Sequence, residues 1–335
     1  MTSPDVPQVA VLGAGSWGTA LALLLCRNGH QVRLWDHWTD HIRDLDRDGE
    51  NRRYLPGIPL PSTLQPTEGL AETLNGVGEL LIVVPSHAFA DVLRRLPVPL
   101  PDGLGIAWAT KGFEPSGGRL LDHVATEVLG PRDLAVVSGP SFAKEVAQGL
   151  PTAVTVASAN TAHARRVAGY LHSDRFRAYT STDMVGVQVG GAAKNVLAIA
   201  TGIADGLGFG ANTRAALITR GLAELIRLGT ALGGRQGTFM GLAGLGDLVL
   251  TCTDDQSRNR RLGLALARGL SIEAAKTEIG QEVEGVITAA SVNAIARRLR
   301  VEMPICAQVF GVLYEGVTPD DATRNLLMRS SKAEV

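Results

Sequence analysis

The chain has 335 residues, of which 45% are hydrophobic, and its net charge is −1 from 32 basic and 33 acidic side chains. A chain of this length and composition can bury a large core and is typical of a globular protein with two domains. The balanced charge excludes the strongly basic surface that attracts nucleic acids or anionic membranes, so we expect no nucleic-acid partner and a small-molecule ligand.

The first predicted elements are a strand, a tight turn, a helix and a second strand. Residues 9–12 are apolar, residues 13–18 read GAGSWG, and residues 19–28 have a helical pattern that Gly29 ends. Residues 31–35 then form the second strand. This order places the glycine-rich turn at the N-terminus of the first helix.

The three glycines of this turn have distinct roles in a dinucleotide site. Gly13 permits the turn, Gly15 lets the backbone approach a pyrophosphate, and Gly18 lets the helix pack on the sheet. The helix N-terminus would hold the anion. A glycine-rich turn without a ligand is the alternative, but the strand-turn-helix context favours binding of NAD or NADP.

Asp36 and His37 follow the second strand, where a carboxylate can hydrogen-bond the ribose 2′-hydroxyl of NAD and repel the 2′-phosphate of NADP. Asp36 therefore favours NAD, unless it only caps a helix that begins near Trp38. Three arginines that could meet an NADP phosphate follow in the chain: Arg43, Arg52 and Arg53. The preference between NAD and NADP stays open.

Further buried strands are predicted at 80–84, 104–109, 134–138, 153–157 and 176–179. Together they predict an α/β, Rossmann-like, doubly wound sheet as a domain of residues 1–181. Ligands bind outside the carboxyl ends of such strands. Three unusual segments fall there and are expected to face one crevice: VPSH at 84–87, ATKG at 109–112 and SGPS at 138–141.

After about Thr180 the strand patterns stop and helical patterns continue to the end of the chain. The predicted helices are 182–205, 212–232, 258–268, 288–299, 304–315 and 319–328. The last has Thr318 as its N-cap and Pro319 at its first position. These patterns predict an all-α second domain of residues 182–335.

Only five basic residues are lysines, and two of them, Lys111 and Lys194, lie in glycine-rich or apolar surroundings. A lysine can lose its proton when it is buried, whereas arginine cannot, so these lysines indicate proton chemistry. The helical neighbours of Lys194 are small or apolar, so another segment can approach it closely. We expect Lys194 to be a general acid. The alternative is a lysine whose charge extends to solvent.

The segment GLAGLGD at 241–247 leads into a helix and supplies a possible partner for the lysine. Asp247 is either only the N-cap of that helix or a carboxylate aimed at Lys194. The dense glycines favour the second interpretation.

The segment SRNRR at 257–261 opens another helix. Its free backbone N–H groups, with Ser257, Arg258 and Asn259, could grip a phosphate. Arg260 and Arg261 are expected on a solvated basic face.

The remaining patterns concern redox state and location. Cys26, Cys252 and Cys306 are widely spaced in mainly apolar segments, which is typical of reduced thiols. No Cys and His spacing suggests a metal site. With the first strand near Gln8 and no apolar run approaching the roughly 20 residues that span a bilayer, we expect a cytoplasmic protein without a signal peptide or membrane anchor.

Over essentially its whole length the chain resembles the NAD(P)-dependent glycerol-3-phosphate dehydrogenases of the bacterial type. Several long motifs occur in the family's order, which is far more specific than the glycine turn alone. They are GAGSWGTALA at 13–22, VVPSH at 83–87, WATKG at 108–112, SGPSFAKE at 138–145, GVQVGGAAKN at 186–195, ADGLGFGANTRAALITRG at 204–221 and GLAGLGDLVLTCTDDQSRNRR at 241–261.

The resemblance implies reversible hydride transfer between a nicotinamide cofactor and C2 of dihydroxyacetone phosphate, giving sn-glycerol 3-phosphate for phospholipid synthesis. It implies that Lys194 protonates the carbonyl oxygen, that Asp247 orients Lys194, and that Lys111 contacts substrate and cofactor. Implied substrate contacts are Gly139, Ser141, Ser257, Arg258 and Asn259. Implied cofactor contacts are Ser16, Trp17, His37, Ala143, Arg258, Glu282 and Glu284. It also implies a homodimer.

Two other functions stay open at this point. Another dehydrogenase with this architecture, of the 3-hydroxyacyl-CoA or 6-phosphogluconate type, should lack the phosphate grip at 257–259. A non-catalytic dinucleotide sensor would bind cofactor without needing Lys194 and Asp247 together.

Overall fold

The computed structural model describes residues 8–101 and 103–329, and the chain forms two compact units. The first unit contains the described residues up to Lys111 together with Leu121–Val187. The second contains Gly112–Leu120 and the described residues from Gln188 onward. Within the second unit, Nη1 of Arg298 donates a hydrogen bond to the carbonyl of Gly117 at 3.4 Å.

The first unit is built on one eight-stranded sheet with the strand order β3-β2-β1-β4-β5-β6-β7-β8. The strands are β1 (Gln8–Leu12), β2 (Gln31–Trp35), β3 (Leu64–Thr67), β4 (Glu79–Ile82), β5 (Gly105–Trp108), β6 (Leu134–Ser138), β7 (Thr152–Ala157) and β8 (Phe176–Ser181). Neighbouring strands are parallel, except that β6 and β7 are antiparallel. The predicted doubly wound α/β sheet is confirmed.

Helices connect these strands and cover the sheet. They are α1 (Ser16–Arg27), α2 (Thr39–Asp48), α3 (Leu70–Leu74), α4 (Ser86–Arg94), α5 (Leu121–Leu129), α6 (Ala143–Ala147) and α7 (Thr161–Leu171). The central strands β4, β5 and β6 are buried along their whole length, as expected for strands covered on both faces. The apolar residues of α1 pack in the same core as Val9 and Val11 of β1, which fixes the glycine turn between them.

The edge strand β3 was not predicted from the sequence. Its four residues, LQPT, are too few for alternation to indicate a strand, and Pro66 cannot donate a ladder hydrogen bond. Proline is tolerated here because β3 pairs only with β2 and lies at the edge of the sheet.

The second unit is helical. Its helices are α8 (Met184–Gly206), α9 (Ala211–Ala231), α10 (Gln236–Phe239), α11 (Asp247–Thr253), α12 (Arg258–Ala267), α13 (Ile272–Ile279), α14 (Glu284–Leu299), α15 (Pro304–Tyr314) and α16 (Pro319–Leu327), with the unit boundary inside α8. A π-helical segment, Leu242–Gly246, leads directly into α11. The predicted cap of α16 is confirmed, because the Thr318 side chain accepts a hydrogen bond from the N–H of Asp321 at 3.1 Å.

Helix α8 corrects one expectation. Its 23 residues are long and apolar enough to cross a membrane, whereas the sequence was expected to contain no such run. However, 94% of its most apolar window is buried inside the protein. The hydrophobicity of α8 is therefore that of a core helix.

All three cysteines are free thiols and buried, as predicted. Burial raises the pKa of Cys252 to about 12, so this thiol stays protonated. A protonated thiol is a poor nucleophile.

Candidate active site

The turn between β1 and α1 uses its glycines in two different ways. Gly13 has φ +111°, and a Cβ there would lie 2.5 Å from the carbonyl oxygen of Val83. A Cβ on Gly18 would lie 1.8 Å from the carbonyl oxygen of Gly13, so both positions are constrained by packing. A Cβ on Gly15 would meet no atom within 4 Å. Gly15 therefore leaves open space at the N-terminus of α1, where backbone N–H groups can bind an anion.

Asp36 ties this turn to the end of β2. Its Oδ2 accepts a hydrogen bond from the N–H of Ala14 at 2.8 Å, and its Oδ1 accepts one from the N–H of Trp38 at 3.1 Å. The Nδ1 of His37 lies 3.0 Å from the same Oδ1. Helix α2 begins at Thr39 with Trp38 as its N-cap, so Asp36 does more than cap a helix.

The other predicted cofactor contacts in the first unit lie at helix starts or beside the glycine turn. Ser16 is the first residue of α1 and Ala143 is the first residue of α6. The indole Nε1 of Trp17 is buried and has no hydrogen-bond partner within residues 8–101 and 103–329. Because buried N–H groups are normally paired, this donor is suited to a bound ligand. The residues present therefore fit a dinucleotide.

Lys111, Gly139 and Ser141 are brought together after β5 and β6. The Lys111 Nζ donates to the carbonyl oxygen of Gly139 at 3.0 Å, and the Ser141 hydroxyl donates to the same oxygen at 3.0 Å. Gly139 has φ +148°, and a Cβ there would lie 2.9 Å from the Cα of Val154. A glycine is therefore required for the carbonyl to orient Lys111 in this way.

In the second unit, Lys194 of α8 is buried and pairs with Asp247 of α11, which is also buried. The Lys194 Nζ donates to the Asp247 carboxylate and to the hydroxyl of Thr251 at 2.9 Å. That hydroxyl in turn donates to the backbone carbonyl of Asp247 at 2.6 Å. The ammonium therefore has both a charged and a neutral acceptor among its partners.

Sequence reasoning missed Thr251. The signal that could have found it is spacing, because Thr251 lies four residues after Asp247 and so projects from the same face of α11.

Glycines allow the π-helical segment before α11 to lie close to α8. A Cβ on Gly190 of α8 would lie 2.4 Å from the carbonyl oxygen of Ala243, in the π-helical segment. A Cβ on Gly244 would lie 2.2 Å from the carbonyl oxygen of Phe239. The backbone before α11 can therefore lie directly against α8. The N-cap position of α11 is Gly246, so Asp247 is the carboxylate aimed at Lys194, rather than only a cap.

The predicted phosphate grip lies at the start of α12. Ser257 is its N-cap, and its side chain accepts a hydrogen bond from the N–H of Arg260 at 3.2 Å. The Asn259 amide donates to the Asn195 side chain at 2.9 Å and accepts from the N–H of Gly285 at 2.9 Å. Asn259 therefore fixes α12 against α8, next to Lys194, and against the start of α14. Asn195 was not predicted from the sequence.

Arg258 is faced by carboxylates. Burial lowers the pKa of the Arg258 guanidinium below its usual 12.5, and the negative charges of Glu284 and Glu282 oppose this effect. Only the resemblance implies these two glutamates, since their spacing gives no independent reason for them. Their charges give them a physical role, which is to offset the loss of water around a partly buried cation.

Arg260 corrects an expectation. The sequence predicts a solvated basic face for Arg260, but the side chain is buried and forms two ion pairs. Its Nη2 lies 2.7 Å from Oδ2 of Asp205, at the end of α8, and its Nη1 lies 2.8 Å from Oδ1 of Asp255. The sequence does not reveal this burial, because Asp205 lies 55 residues away along the chain. Arg261 is partly buried.

The side chains and backbone groups described above are suited to three chemical tasks. The first unit has an anion-binding helix N-terminus with an open glycine cradle. The second has a buried ammonium that can donate a proton, and a guanidinium at a helix N-terminus that can bind a phosphate. Within the described parts of the chain, no group of three or more His, Cys, Asp or Glu side chains is placed to hold a metal ion.

Comparisons with known proteins give the same family for both units. The family model for the NAD-dependent glycerol-3-phosphate dehydrogenase N-terminus matches residues 8–164, and that for the C-terminus matches residues 183–324. The chain is 56% identical over 333 residues to glycerol-3-phosphate dehydrogenase [NAD(P)+] of Stenotrophomonas maltophilia (strain R551-3), covering 99% of this chain and 98% of that protein.

Solved structures agree. The crystal structure of glycerol-3-phosphate dehydrogenase from Coxiella burnetii matches with a TM-score of 0.95 and 51% identity, covering 97% of this chain and 100% of that one. The glycerol-3-phosphate dehydrogenase of Saccharomyces cerevisiae matches with a TM-score of 0.81 and 26% identity, covering 96% of this chain and 99% of that one.

Proposed function

The chain belongs to the NAD-dependent glycerol-3-phosphate dehydrogenase family, and we propose that it interconverts dihydroxyacetone phosphate and sn-glycerol 3-phosphate with Lys194 as the proton donor. It is an NAD(P)-dependent oxidoreductase that acts on a CH–OH group. The observation that carries the proposal is the buried ion pair between Lys194 and Asp247. A sensor that only binds dinucleotide has no use for this pair.

In the reducing direction, the carbonyl of dihydroxyacetone phosphate gains a hydride at C2 and a proton on oxygen. When bound, the reduced nicotinamide supplies the hydride. Lys194 donates the proton from its ammonium group, so the new C–H and O–H bonds form as the C=O double bond is reduced. A positioned general acid contributes about 10²–10⁴-fold to such a reaction.

Asp247 and Thr251 are proposed to orient Lys194. Their oxygens fix the ammonium at the end of a flexible four-carbon side chain. After the proton has left, the Asp247 carboxylate favours reprotonation of the amine, because a nearby negative charge stabilises the ammonium form. The same pair would accept the proton when glycerol 3-phosphate is oxidised.

The substrate phosphate is proposed to bind Arg258 and the N-terminus of α12, with Ser257 and Asn259. Arginine pairs with phosphate through two parallel N–H donors, and the helix N-terminus adds backbone donors. Binding energy from this non-reacting group can orient the carbonyl for reaction. Gly139 and Ser141 are proposed to contact the same substrate, and Lys111 to contact substrate and cofactor as a fixed cation.

The cofactor, NAD or NADP, is proposed to bind the glycine turn of Gly13, Gly15 and Gly18. Further proposed contacts are Ser16, Trp17, Asp36, His37, Ala143, Arg258, Glu282 and Glu284. On this proposal residues 1–181 bind the dinucleotide and residues 182–335 bind the substrate and supply the acid.

Wider properties are suggested by the resemblance to the family. The product, sn-glycerol 3-phosphate, is a precursor for phospholipid synthesis. We propose that the protein is a cytoplasmic homodimer, which sedimentation equilibrium would test; a single species with the mass of one chain would contradict the dimer.

The test is an assay of the purified protein with dihydroxyacetone phosphate and either NADH or NADPH, following the absorbance of the reduced cofactor. We expect decay with at least one cofactor and formation of sn-glycerol 3-phosphate. No decay with either cofactor, from protein shown to be folded by circular dichroism, would rule out the proposed reaction.

A further inference from the structure

Three arginines follow the end of β2 in the chain, and the structure separates them by their partners. Arg43 is neutralised by Glu68, with Nε and Nη2 at 3.0 and 3.1 Å from the two carboxylate oxygens. Arg52 lies 3.6 Å from Asp48. Both guanidinium groups already have a carboxylate, so neither is well suited to bind a phosphate.

Arg53 differs from both. Within residues 8–101 and 103–329 it forms no ion pair and no hydrogen bond, and its side chain is exposed. Its guanidinium carbon lies 4.4 Å from the centre of the Trp38 ring and 5.2 Å from the centre of the Tyr54 ring. Stacking on an aromatic face holds the planar group in place while its N–H edge stays open to an anion.

The location of Arg53 is that of the ribose end of a dinucleotide site. In a βαβ dinucleotide fold the ribose 2′-substituent lies at the end of the second strand, and a nearby arginine can accommodate a 2′-phosphate. Trp38, on which Arg53 stacks, donates its backbone N–H to Asp36, the residue directly after β2. The unpaired cation is therefore next to the end of β2.

Asp36 is the residue that could oppose a phosphate here, because its carboxylate would repel a 2′-phosphate. Its charge is partly offset by N–H donors from Ala14 and Trp38, and Nδ1 of His37 lies 3.0 Å from its Oδ1. The carboxylate is thus directed into hydrogen bonds with the protein, while Arg53 presents an unpaired positive charge.

We propose that Arg53 binds the 2′-phosphate of NADP, so that the protein uses NADPH and binds it more tightly than NADH. This inference rests on the proposed function for its dinucleotide site and deepens it by naming the cofactor. Arg53 is then a specificity residue, which contacts the cofactor away from the reacting atoms.

The first test measures binding without catalysis. Adenosine 2′,5′-bisphosphate and adenosine 5′-monophosphate are titrated by calorimetry, at low ionic strength, into the wild type, Arg53→Ala and the matched control Arg52→Ala. We expect Arg53→Ala to weaken the bisphosphate about tenfold, the loss of roughly one charge-assisted contact, and to change the monophosphate less than about twofold. Arg52→Ala should change both affinities less than about twofold.

The second test measures kcat/KM for NADPH and NADH with dihydroxyacetone phosphate in the same proteins. Arg53→Ala should lose about tenfold with NADPH alone. The role of Arg53 would be overturned if Arg53→Ala lost as much with the ligand that lacks the 2′-phosphate as with the ligand that carries it. It would also be overturned if Arg53→Ala lost nothing with the 2′-phosphorylated ligand, or if Arg52→Ala showed the same loss. If the binding difference is found but the wild type reduces no dihydroxyacetone phosphate, the proposed reaction fails while the role of Arg53 stands.

Discussion

At the scale of single residues, neighbouring positions of the same type have different jobs. In the turn before α1, Gly13 and Gly18 are required because their Cβ positions are occupied by backbone atoms. Gly15 has φ −68°, a conformation that alanine adopts freely, and its Cβ direction is empty. Only Gly15 therefore keeps space for something outside the protein.

This difference predicts opposite effects of two alanine substitutions. Gly15→Ala should leave the free energy of unfolding within about 0.5 kcal/mol of the wild type but weaken NAD(P)H binding at least about tenfold. Gly18→Ala should destabilise the fold by about 3 kcal/mol, because its methyl overlaps the Gly13 carbonyl. Urea unfolding and fluorescence titration with NADPH measure both quantities. Gly15→Ala with unchanged cofactor affinity would contradict the cradle.

Arg258 offers a second residue-level prediction. Arg258→Ala should raise the KM for dihydroxyacetone phosphate at least about 100-fold, because a charge-assisted phosphate contact is lost. Because Arg258 is also a proposed cofactor contact, the Kd for cofactor without substrate should rise too, but far less, by under about tenfold. Arg268→Ala, at the exposed far end of the same helix, is the matched control and should change neither quantity. Equal losses for substrate and cofactor would argue against a phosphate grip.

At the scale of elements, the helices of the second unit are joined by polar groups that reach far along the sequence. Asn259 ties α12 to α8 and α14, and Arg260 ties α12 to the end of α8. Glu224 of α9 is buried and caps α15, accepting hydrogen bonds from the N–H groups of Ile305 at 2.7 Å and Cys306 at 3.1 Å. These N–H groups lie in the first turn of α15 and lack helical partners.

The Glu224 cap predicts a pH dependence of stability. Burial raises the pKa of Glu224 above its usual 4.5, although the two N–H groups oppose this effect. Since the folded-state pKa exceeds the unfolded one, this contribution to stability is full below the unfolded pKa and is lost as pH rises through the folded pKa. Glu224→Gln cannot titrate and should lack that loss.

Urea unfolding of the wild type and Glu224→Gln at a series of pH values from about 4.5 upward measures the difference in their free energies of unfolding. The stability of the wild type relative to the variant should fall as pH rises from about 4.5 upward. A difference that stays constant with pH would contradict a raised pKa for Glu224.

Elements with strong local patterns could be predicted from the sequence, whereas a short element could not. The glycine turn, the central strands and α16 carry local signals, and they are found where expected. Helix α13 was missed although Ser271 caps it and Gly280 ends it in a left-handed conformation, because only eight residues separate these signals.

The site could likewise be predicted only where its signal is local in the sequence. The approach of a second segment to Lys194 could be predicted, since small neighbours on a helix face permit it. Thr251, Asn195 and the burial of Arg260 could not, because their roles depend on contacts between helices that are distant in the sequence.

At the scale of the whole molecule, the proposed function assigns a different part of the chemistry to each unit. The first is proposed to bind the dinucleotide, and the second is proposed to supply the proton donor and to bind the substrate phosphate. Family membership covers both units, from residue 8 to residue 164 and from residue 183 to residue 324. Lys194 is therefore the side chain on which the proposed reaction depends most, because it is the group proposed to take part in bond formation.

The most direct test is the kcat for dihydroxyacetone phosphate reduction by Lys194→Arg, with the Kd for NADPH measured in the same protein. Arginine keeps the positive charge beside Asp247 but does not release its proton, so kcat should fall at least about 100-fold while the Kd changes less than about threefold. Lys276→Arg, on α13, is the matched control and should match the wild type. A kcat for Lys194→Arg within a few-fold of the wild type would contradict Lys194 as the proton donor.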